Sequence, residues 1–297
     1  MLGVSFALLT ILAWGTWLAP SQNVKMKSQV LKTFYVTLAN LFVAFATAAA
    51  LGFHGLDWSM FLLPFAGGCV WTLSAVCALL GTSRLGLAKA VGIWAPLNVI
   101  SSVFWGMVLF GELVQSGAGN LMLGFFSVLM IIAGILLIVM SGENKGAQKG
   151  LQGKESKAGL LGALGAGALW GSYFVPIRLS QASLWVAAFP MALGMTVMST
   201  VLLALSRNDL ALEKRGDYAR VMITGLLWST GNYASLLTME YLGTAKGFTL
   251  AQLNVVVNAV LGIFIFKNPP PRSRAALAIF AGILLALLGS ITLGNLK

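Results

Sequence analysis

Ten apolar segments, each long enough to cross a lipid bilayer, constrain the fold of this chain more than any other feature. A bilayer core of ~30 Å requires about 20 mostly apolar residues per helix, and a spanning segment must satisfy its own backbone hydrogen bonds. Only 9% of the 297 residues are charged, whereas soluble domains carry roughly 25%. We therefore predict an all-α polytopic membrane protein with segments at 3–20, 33–52, 59–80, 86–110, 118–140, 159–177, 184–205, 219–239, 244–266 and 274–294.

Two stretches of the chain repeat each other, and each consists of two apolar segments joined by a short turn that contains glycine. With a single one-residue gap, Trp71 aligns with Trp228, Lys89 with Lys246, and Asn98 with Asn254. The first and sixth segments also match, since Ala13-Trp14-Gly15-Thr16 aligns with Leu169-Trp170-Gly171-Ser172. A repeated pair of apolar helices with matched polar groups is typical of a transporter built from two halves.

The repeat divides the chain into a first five-helix repeat (1–140), a cytoplasmic linker (141–158) and a second five-helix repeat (159–297). The linker is polar, rich in Gly and Lys and without apolar periodicity, which predicts a flexible connection. Because five is an odd number, the two halves cross the membrane in opposite senses. We therefore predict an inverted repeat, with the substrate bound near the midplane between the halves.

The basic residues indicate the orientation of the chain. Sixteen of the 19 Lys and Arg residues lie in loops that follow odd-numbered segments. Cytoplasmic loops carry an excess of these residues, so the odd loops are predicted in the cytoplasm and both termini outside the cytoplasmic membrane. The net charge of +11 is explained by these loops and does not indicate a nucleic-acid partner.

Polar and aromatic side chains at bilayer depth are candidates for a binding site, because such groups face the protein interior or a wet cavity. Amides both donate and accept hydrogen bonds, which suits a polyhydroxylated neutral ligand, and an indole can pack against the apolar face of a sugar ring. Alternatively, these residues join helices through hydrogen bonds or lie in interfacial belts. The predicted substrate-binding residues are Trp71, Trp94, Asn98, Trp228, Asn232, Gln252, Asn254 and Asn258.

Three charged residues near segment ends are candidates for gating or coupling, namely Lys89, Glu240 and Lys246. The lysines either point inward as a gate or an anion contact, or snorkel to the lipid headgroups. No Asp or Glu lies at the centre of a segment, so the proton-carrying carboxylate usual in proton-coupled carriers is missing. One His and two Cys residues do not make a metal site, and no cofactor is predicted.

Several motifs resemble those of known transporters. Trp14-Gly15 and Trp170-Gly171 resemble the Trp-Gly turn near the end of the first helix of each half in the drug/metabolite transporter superfamily. The stretches Trp228-Ser229-Thr230-Gly231-Asn232-Tyr233, Ala251-Gln252-Leu253-Asn254-Val255 and Leu293-Gly294-Asn295-Leu296-Lys297 resemble the glucose/ribose porter family within it. The likeness covers most of the chain and is specific for the family, not for the substrate.

The resemblance implies carbohydrate uptake across a bacterial cytoplasmic membrane, either proton-coupled or facilitative. It also implies that the cavity is lined by Trp71, Asn98, Trp228, Asn232, Gln252 and Asn254. Lys89 and Lys246 depart from the pattern, because Ser or Thr is expected there in a neutral-sugar porter of this group.

We predict a secondary transporter that takes up a monosaccharide, such as glucose, ribose or rhamnose, by alternating access. Its partners would be the sugar, the lipid bilayer and, if transport is coupled, protons. The first alternative is a carrier of a phosphorylated or acidic metabolite held by Lys89 and Lys246. A membrane enzyme would need a nucleophile or a carboxylate pair at a helix end, and none is apparent. A channel would show neither saturation nor counterflow.

Overall fold

The fold consists of helices packed side by side, and the computed structural model describes residues 2–26, 28–53, 57–110, 118–141, 154–207, 210–242, 250–251 and 253–296. The helices are α1 (Leu2–Thr16), α2 (Gln29–Ala50), α3 (Trp58–Leu85), α4 (Leu87–Phe110), α5 (Ala118–Met140), α6 (Lys154–Trp170), α7 (Phe174–Leu179), α8 (Leu184–Ser206), α9 (Arg215–Leu242), α10 (Asn254–Val260, continued by a π-helical turn Leu261–Ile265) and α11 (Arg274–Gly294). No strand occurs in these ranges, so the predicted all-α class is confirmed for this part of the chain.

Eight stretches of the described residues are long and apolar enough to cross a membrane, and they correspond to predicted segments one to seven and ten. Helix α9, which contains segment eight, has 28 residues, but its middle carries many hydroxyl and amide side chains that lower its hydropathy. Segment nine lies partly outside the described residues, and its apolar helix covers Asn254–Ile265. The chain is a multi-pass helical protein, and the number of ten spans stays a prediction.

Segment six, expected as one helix over 159–177, is interrupted. Helix α6 ends at Trp170, three residues form turns, and α7 begins at Phe174. Pro176 explains the interruption, because proline has no N–H for the carbonyl of Ser172 and restricts the backbone of the preceding residue. Helix α1 ends at Thr16, four residues before Pro20, and α6 ends at Trp170, six residues before Pro176. Both helices therefore end within the matched four-residue motifs Ala13–Thr16 and Leu169–Ser172.

Helix α6 begins within the predicted linker, 141–158. Residues 154–158 form the first turn of α6, and residues 142–153 lie outside the described part of the chain. The sequence Lys-Glu-Ser-Lys-Ala has no apolar periodicity and therefore does not predict a membrane helix by itself. Lys, Glu and Ala nevertheless favour helix, and this turn extends α6 beyond its apolar part.

Close contacts between helices occur in matched pairs across the two halves. In each matched pair, a glycine of one half contacts a residue of the other half. The repeat-equivalent glycine of the second half contacts the repeat-equivalent residue of the first half. The matched contacts are Gly3 with Leu242 and Gly159 with Leu85, and Gly15 with Val257 and Gly171 with Ser101. An exchange of partners of this kind is expected if a two-fold rotation relates the two halves.

We divide the helices, by their contacts and the repeat, into two bundles that each draw on both halves of the sequence. In bundle A, α6 packs against α3 and α4, and α8 packs against α3. In bundle B, α1 packs against α9 and α10, and α2 packs against α9. The repeat matches each helix of bundle A with a helix of bundle B. The bundles meet between α2 and α8 and between α4 and α10, while α5 and α11 pack against each other and against α4.

Candidate substrate-binding site

A cluster of tryptophan rings occupies the centre of the molecule, where the two bundles meet. The rings of Trp71 and Trp228 have centroids 4.6 Å apart. These two residues are repeat-equivalent, so the contact joins matched positions of the two halves. Trp170 lies 6.0 Å from Trp71, 5.4 Å from Trp94 and 6.2 Å from Trp17. All five side chains are buried.

The structure thus brings together Trp71, Trp94 and Trp228, three of the predicted site residues. It adds Trp17 and Trp170, which were not among the candidates from the sequence. The match of the Trp170-Gly171 motif to the first segment was the signal that could have identified Trp170, because a repeated interruption near the middle of a helix is typical of transporter sites.

Asn98 lies on α4 in a polar group that faces the interruption after α6. Its Oδ1 accepts a hydrogen bond from Ser102 Oγ at 3.2 Å, and Ser102 Oγ also lies 3.5 Å from the carbonyl oxygen of Gly171. One turn further along α4, Trp105 Nε1 donates to Ser172 Oγ at 2.7 Å. Asn98 is half-buried, and no hydrogen bond joins its Nδ2 to another described residue.

Asn254 and Asn258 form the matching group on α10. Asn258 Nδ2 donates to the carbonyl oxygens of Trp14, at 3.1 Å, and of Asn254, at 3.0 Å. Asn254 Nδ2 donates to the carbonyl oxygen of Ala251. Asn258 is 2% exposed, and its Oδ1 has no hydrogen-bond partner among the described residues. An unpaired buried acceptor is costly, so this oxygen is suited to a ligand donor.

Asn232 and Gln252 are the remaining predicted substrate-binding residues. Asn232 is half-buried on α9, and its carbonyl oxygen accepts from Ser235 Oγ at 2.7 Å. Gln252 lies outside the described residues, so its predicted role stays a prediction. Among the residues that are described, no three His, Cys, Asp or Glu side chains converge on one point. The chemistry available at the centre is therefore that of amides, hydroxyls and indoles.

The structure describes two of the three predicted gating residues. Lys89 is half-buried, and its Nζ donates to the carbonyl oxygen of Val139 at 3.0 Å. This oxygen belongs to the last turn of α5, where a helix has unpaired carbonyls and favours a cation. Glu240 is exposed near the end of α9, and Lys246 lies outside the described part of the chain. The roles of these residues in gating and coupling stay predictions.

Other buried polar residues join helices to each other, as the alternative interpretation of the sequence expects. Thr37 Oγ1 lies 2.8 Å from Ser199 Oγ across the seam between α2 and α8. Ser229 Oγ donates to Asn40 Oδ1 at 2.7 Å within bundle B. These side chains have protein partners, so interhelical hydrogen bonding accounts for them.

A narrow crevice lies between α4, α10 and α11. Pro96 has no N–H for the carbonyl oxygen of Gly92, one turn earlier, and both residues face this crevice. The lining residues are Gly92, Pro96, Val255, Ile283, Ala286, Leu287 and Ser290. The crevice borders α4 and α10, the two helices that carry the matched asparagines.

Comparisons with known proteins agree with this architecture. The profile of the family named Sugar transport protein matches residues 5–296. The glucose uptake protein GlcU of Bacillus subtilis is 28% identical over 82% of this chain and 81% of its own length. A probable glucose uptake protein GlcU of Priestia megaterium is 29% identical over 77% of each chain. A crystal structure of a protein that is 18% identical superposes with a TM-score of 0.61 over 96% of each chain, so the fold is shared.

Proposed function

Because the chain belongs to the Sugar transport protein family, we propose that it takes up a neutral monosaccharide across the cytoplasmic membrane by alternating access. The observation that carries this proposal is the matched placement of Asn98 and Asn254 beside a central cluster of indoles. The two helices that bear them, α4 and α10, are repeat-equivalent and pack against the interrupted helices α6 and α1. Amides for hydroxyl groups and indoles for an apolar ring face are the groups that a sugar requires.

The substrate would lie between bundles A and B. Glucose, ribose and rhamnose are the candidate sugars, and the relatives named for glucose uptake favour the first. The amides of Asn98, Asn232, Gln252 and Asn254 would exchange hydrogen bonds with the sugar hydroxyls, together with the unpaired Oδ1 of Asn258. Transport would be either facilitative or coupled to protons, with Glu240 as the acidic candidate. No catalytic role is proposed for any residue.

The two-fold exchange of the bundles supports an inverted repeat, in which rocking of one bundle against the other exposes the site to each side in turn. The distribution of Lys and Arg would place the linker in the cytoplasm and both termini outside. A membrane-impermeant maleimide should therefore label Gly119→Cys in intact cells and Gln148→Cys only after permeabilisation, in a Cys69→Ala/Cys77→Ala background. The reverse pattern would contradict this orientation.

The first test is thermal stabilisation of the purified protein by a panel of neutral monosaccharides, sugar phosphates and sugar acids. A ligand that binds the native state raises its melting temperature by mass action. We expect D-glucose, D-ribose or L-rhamnose to stabilise the protein, and the anions to have no effect. Stabilisation by the anions alone would favour the acidic-metabolite alternative.

Replacing either matched asparagine should impair transport. We expect Asn98→Ala and Asn254→Ala each to lower uptake at least tenfold at unchanged expression, because a buried amide that recognises hydroxyls contributes about 1–3 kcal/mol when its partner is left unpaired. Uptake of radiolabelled sugar by cells measures the effect. Asn295→Ala is the matched control, because Asn295 lies exposed at the end of α11. Wild-type uptake by both site variants would refute the site assignment.

The role of Lys89 separates the sugar proposal from the acidic-metabolite alternative. Lys89→Met removes the cation that bonds the carbonyl oxygen of Val139 but leaves the side-chain length nearly unchanged. We expect the free energy of unfolding to fall by about 0.5–2 kcal/mol, which lowers the melting temperature. Sugar uptake should fall less than threefold. A complete loss of uptake in a variant that still folds would favour an anionic substrate bound by this lysine.

A further inference from the structure

The indole N–H of Trp170 is a buried donor that has no acceptor among the described residues. The side chain is 8% exposed and lies among the rings of Trp17, Trp71 and Trp94. Native structures pair the great majority of buried polar groups, and one that stays unpaired requires an explanation. Ring packing explains why the indole is buried here, but it does not supply an acceptor for the N–H.

The repeat provides an internal comparison. Trp14 is the counterpart of Trp170 in the first half, and its Nε1 donates to the carbonyl oxygen of Trp228 at 3.2 Å. The two-fold rotation would pair Trp170 in the same way with the carbonyl oxygen of Trp71. Trp170 instead packs ring to ring with Trp71 at 6.0 Å. In the first half the indole N–H of Trp14 therefore forms a hydrogen bond that joins two helices. In the second half the indole N–H of Trp170 has no such partner among the described residues.

The position of Trp170 explains what this donor could reach. Trp170 is the last residue of α6 before the interruption. The next residue, Gly171, lies so close to α4 that an added Cβ would be 2.7 Å from the carbonyl oxygen of Asn98. Trp94, whose ring contacts that of Trp170, is one helical turn before Asn98 on α4. Trp170 thus belongs to the indole cluster and adjoins the helix that carries the first matched asparagine.

We propose that the Trp170 indole N–H donates a hydrogen bond to one hydroxyl group of the bound sugar, and that this bond helps determine specificity. The proposal rests on the function proposed above. The site would be asymmetric, because the N–H of Trp14 in bundle B already donates to the carbonyl oxygen of Trp228. A sugar is itself asymmetric, so a donor in bundle A whose counterpart in bundle B is already paired would select one orientation of the ring between the two halves.

The test removes the N–H without changing the ring shape. Benzothienylalanine, in which sulfur replaces the indole N–H, is introduced at position 170 by nonsense suppression, and at position 14 as the matched control. Affinity is measured by calorimetry with D-glucose, D-ribose and L-rhamnose, and with the monodeoxy derivatives of whichever sugar binds. The melting temperature is measured without sugar.

We expect opposite outcomes at the two positions. At position 170 the affinity should fall about fivefold, the cost of one lost hydrogen bond, and the melting temperature should stay equal or rise because no protein bond is broken. At position 14 the melting temperature should fall and the affinity should stay within about twofold. The loss of affinity caused by the substitution at position 170 should disappear for the one deoxy sugar that lacks the accepting hydroxyl.

Three results would refute the inference about Trp170, and a fourth would refute the proposed function on which it rests. An unchanged affinity at position 170 refutes it, as does an equal loss for the parent sugar and every deoxy derivative, because either result means that no hydroxyl accepts from this N–H. A lower melting temperature at position 170 without sugar indicates a structural bond and also refutes it. If the wild-type protein binds none of the three sugars, the proposed function itself fails.

Discussion

Uptake should stop when a disulfide joins positions 37 and 199, and it should return on reduction. Thr37 on α2 and Ser199 on α8 face each other across the seam between the bundles, with hydroxyl oxygens 2.8 Å apart. The sulfur atoms of Thr37→Cys/Ser199→Cys would occupy nearly these positions, so a disulfide of ordinary geometry can form. Alternating access requires the bundles to move against each other, and the cross-link prevents this movement at the seam.

The reason to expect movement here is the contrast between contacts within a bundle and contacts across the seam. Within bundle B, a Cβ on Gly225 of α9 would lie 2.4 Å from the carbonyl oxygen of Val36 on α2. Such direct backbone contact leaves no room for sliding. Across the seam, Thr37 and Ser199 are joined by hydroxyl groups, and Phe45 packs against Phe189 with ring centroids 6.0 Å apart. Side-chain contacts of this kind can be exchanged for others.

The matched control lies inside bundle A. A Cβ on Gly81 of α3 would be 3.4 Å from Cβ of Ala163 on α6, so Gly81→Cys/Ala163→Cys should also form a disulfide. This cross-link joins helices that are expected to move together, and oxidation should leave uptake within about twofold of the reduced protein. Both pairs are built in a Cys69→Ala/Cys77→Ala background.

Cross-linking and transport are measured on the same membranes. Both cysteine pairs bridge residues 142–153, so a protease site inserted there converts the uncross-linked chain into two fragments that separate on a non-reducing gel. Uptake is then compared with the cross-linked fraction. Full uptake by a quantitatively oxidised Thr37→Cys/Ser199→Cys variant would show that the seam does not open during transport, and would contradict the division into two moving bundles.

The helices could be predicted from the sequence because the bilayer imposes a simple requirement. A run of about 20 apolar residues must form a helix there, and the described helices cover most of the predicted segments. The matched residues of the two halves could also be recognised, since Trp71 and Trp228 align in the sequence and their rings contact each other. The interruption of segment six is not predicted from hydropathy, because the apolar run continues on both sides of it and through Pro176.

The partners of each side chain could not be predicted, and the reason is physical. In a membrane both the lipid-facing and the interior surfaces of a helix are apolar, so hydrophobicity does not tell them apart. On α5, Ile131 is fully buried and Phe125 is 63% exposed, although both are large and apolar. Lys89 finds its acceptor on α5, 50 residues away, and spacing along α4 gives no indication of that contact.

The same limit applies to the binding site. Helical spacing placed Asn254 and Asn258 on one face of a helix, and the structure brings Asn258 against the end of α1. Spacing could not reveal that Trp170 would lie between Trp71 and Trp94, because these three residues belong to different helices. Nor could it show that the N–H of Trp170 is unpaired, since an unpaired donor is a property of everything that surrounds it.

The largest effect on folding is expected at Gly68, where α3 crosses α8. A Cβ on Gly68 would lie 2.0 Å from the carbonyl oxygen of Met191 and 2.8 Å from the backbone nitrogen of Met195. From the other side, a Cβ on Gly194 would lie 2.0 Å from the carbonyl oxygen of Phe65. Two backbones are thus in direct contact, and no side-chain rotation can relieve a methyl group placed between them.

We therefore expect Gly68→Ala to destabilise the protein by about 3 kcal/mol or more, the upper range for overpacking, and Gly68→Val to leave no folded protein. The melting temperature in detergent and the monodisperse fraction on size exclusion measure both effects. Gly119→Ala is the matched control, because Gly119 lies in α5 with nothing near its Cβ position, and alanine there should stabilise the helix by up to about 1 kcal/mol.

The repeat adds a second comparison that makes the argument testable beyond a single position. Gly225 is the counterpart of Gly68 in the second half, and its added Cβ would lie 2.4 Å from the carbonyl oxygen of Val36. Gly225→Ala should therefore also destabilise the protein, although less than Gly68→Ala because the contact is wider. If Gly68→Ala and Gly225→Ala both melt like Gly119→Ala, the helices do not approach as closely as described, and the rigid bundles inferred from these contacts would have to be abandoned.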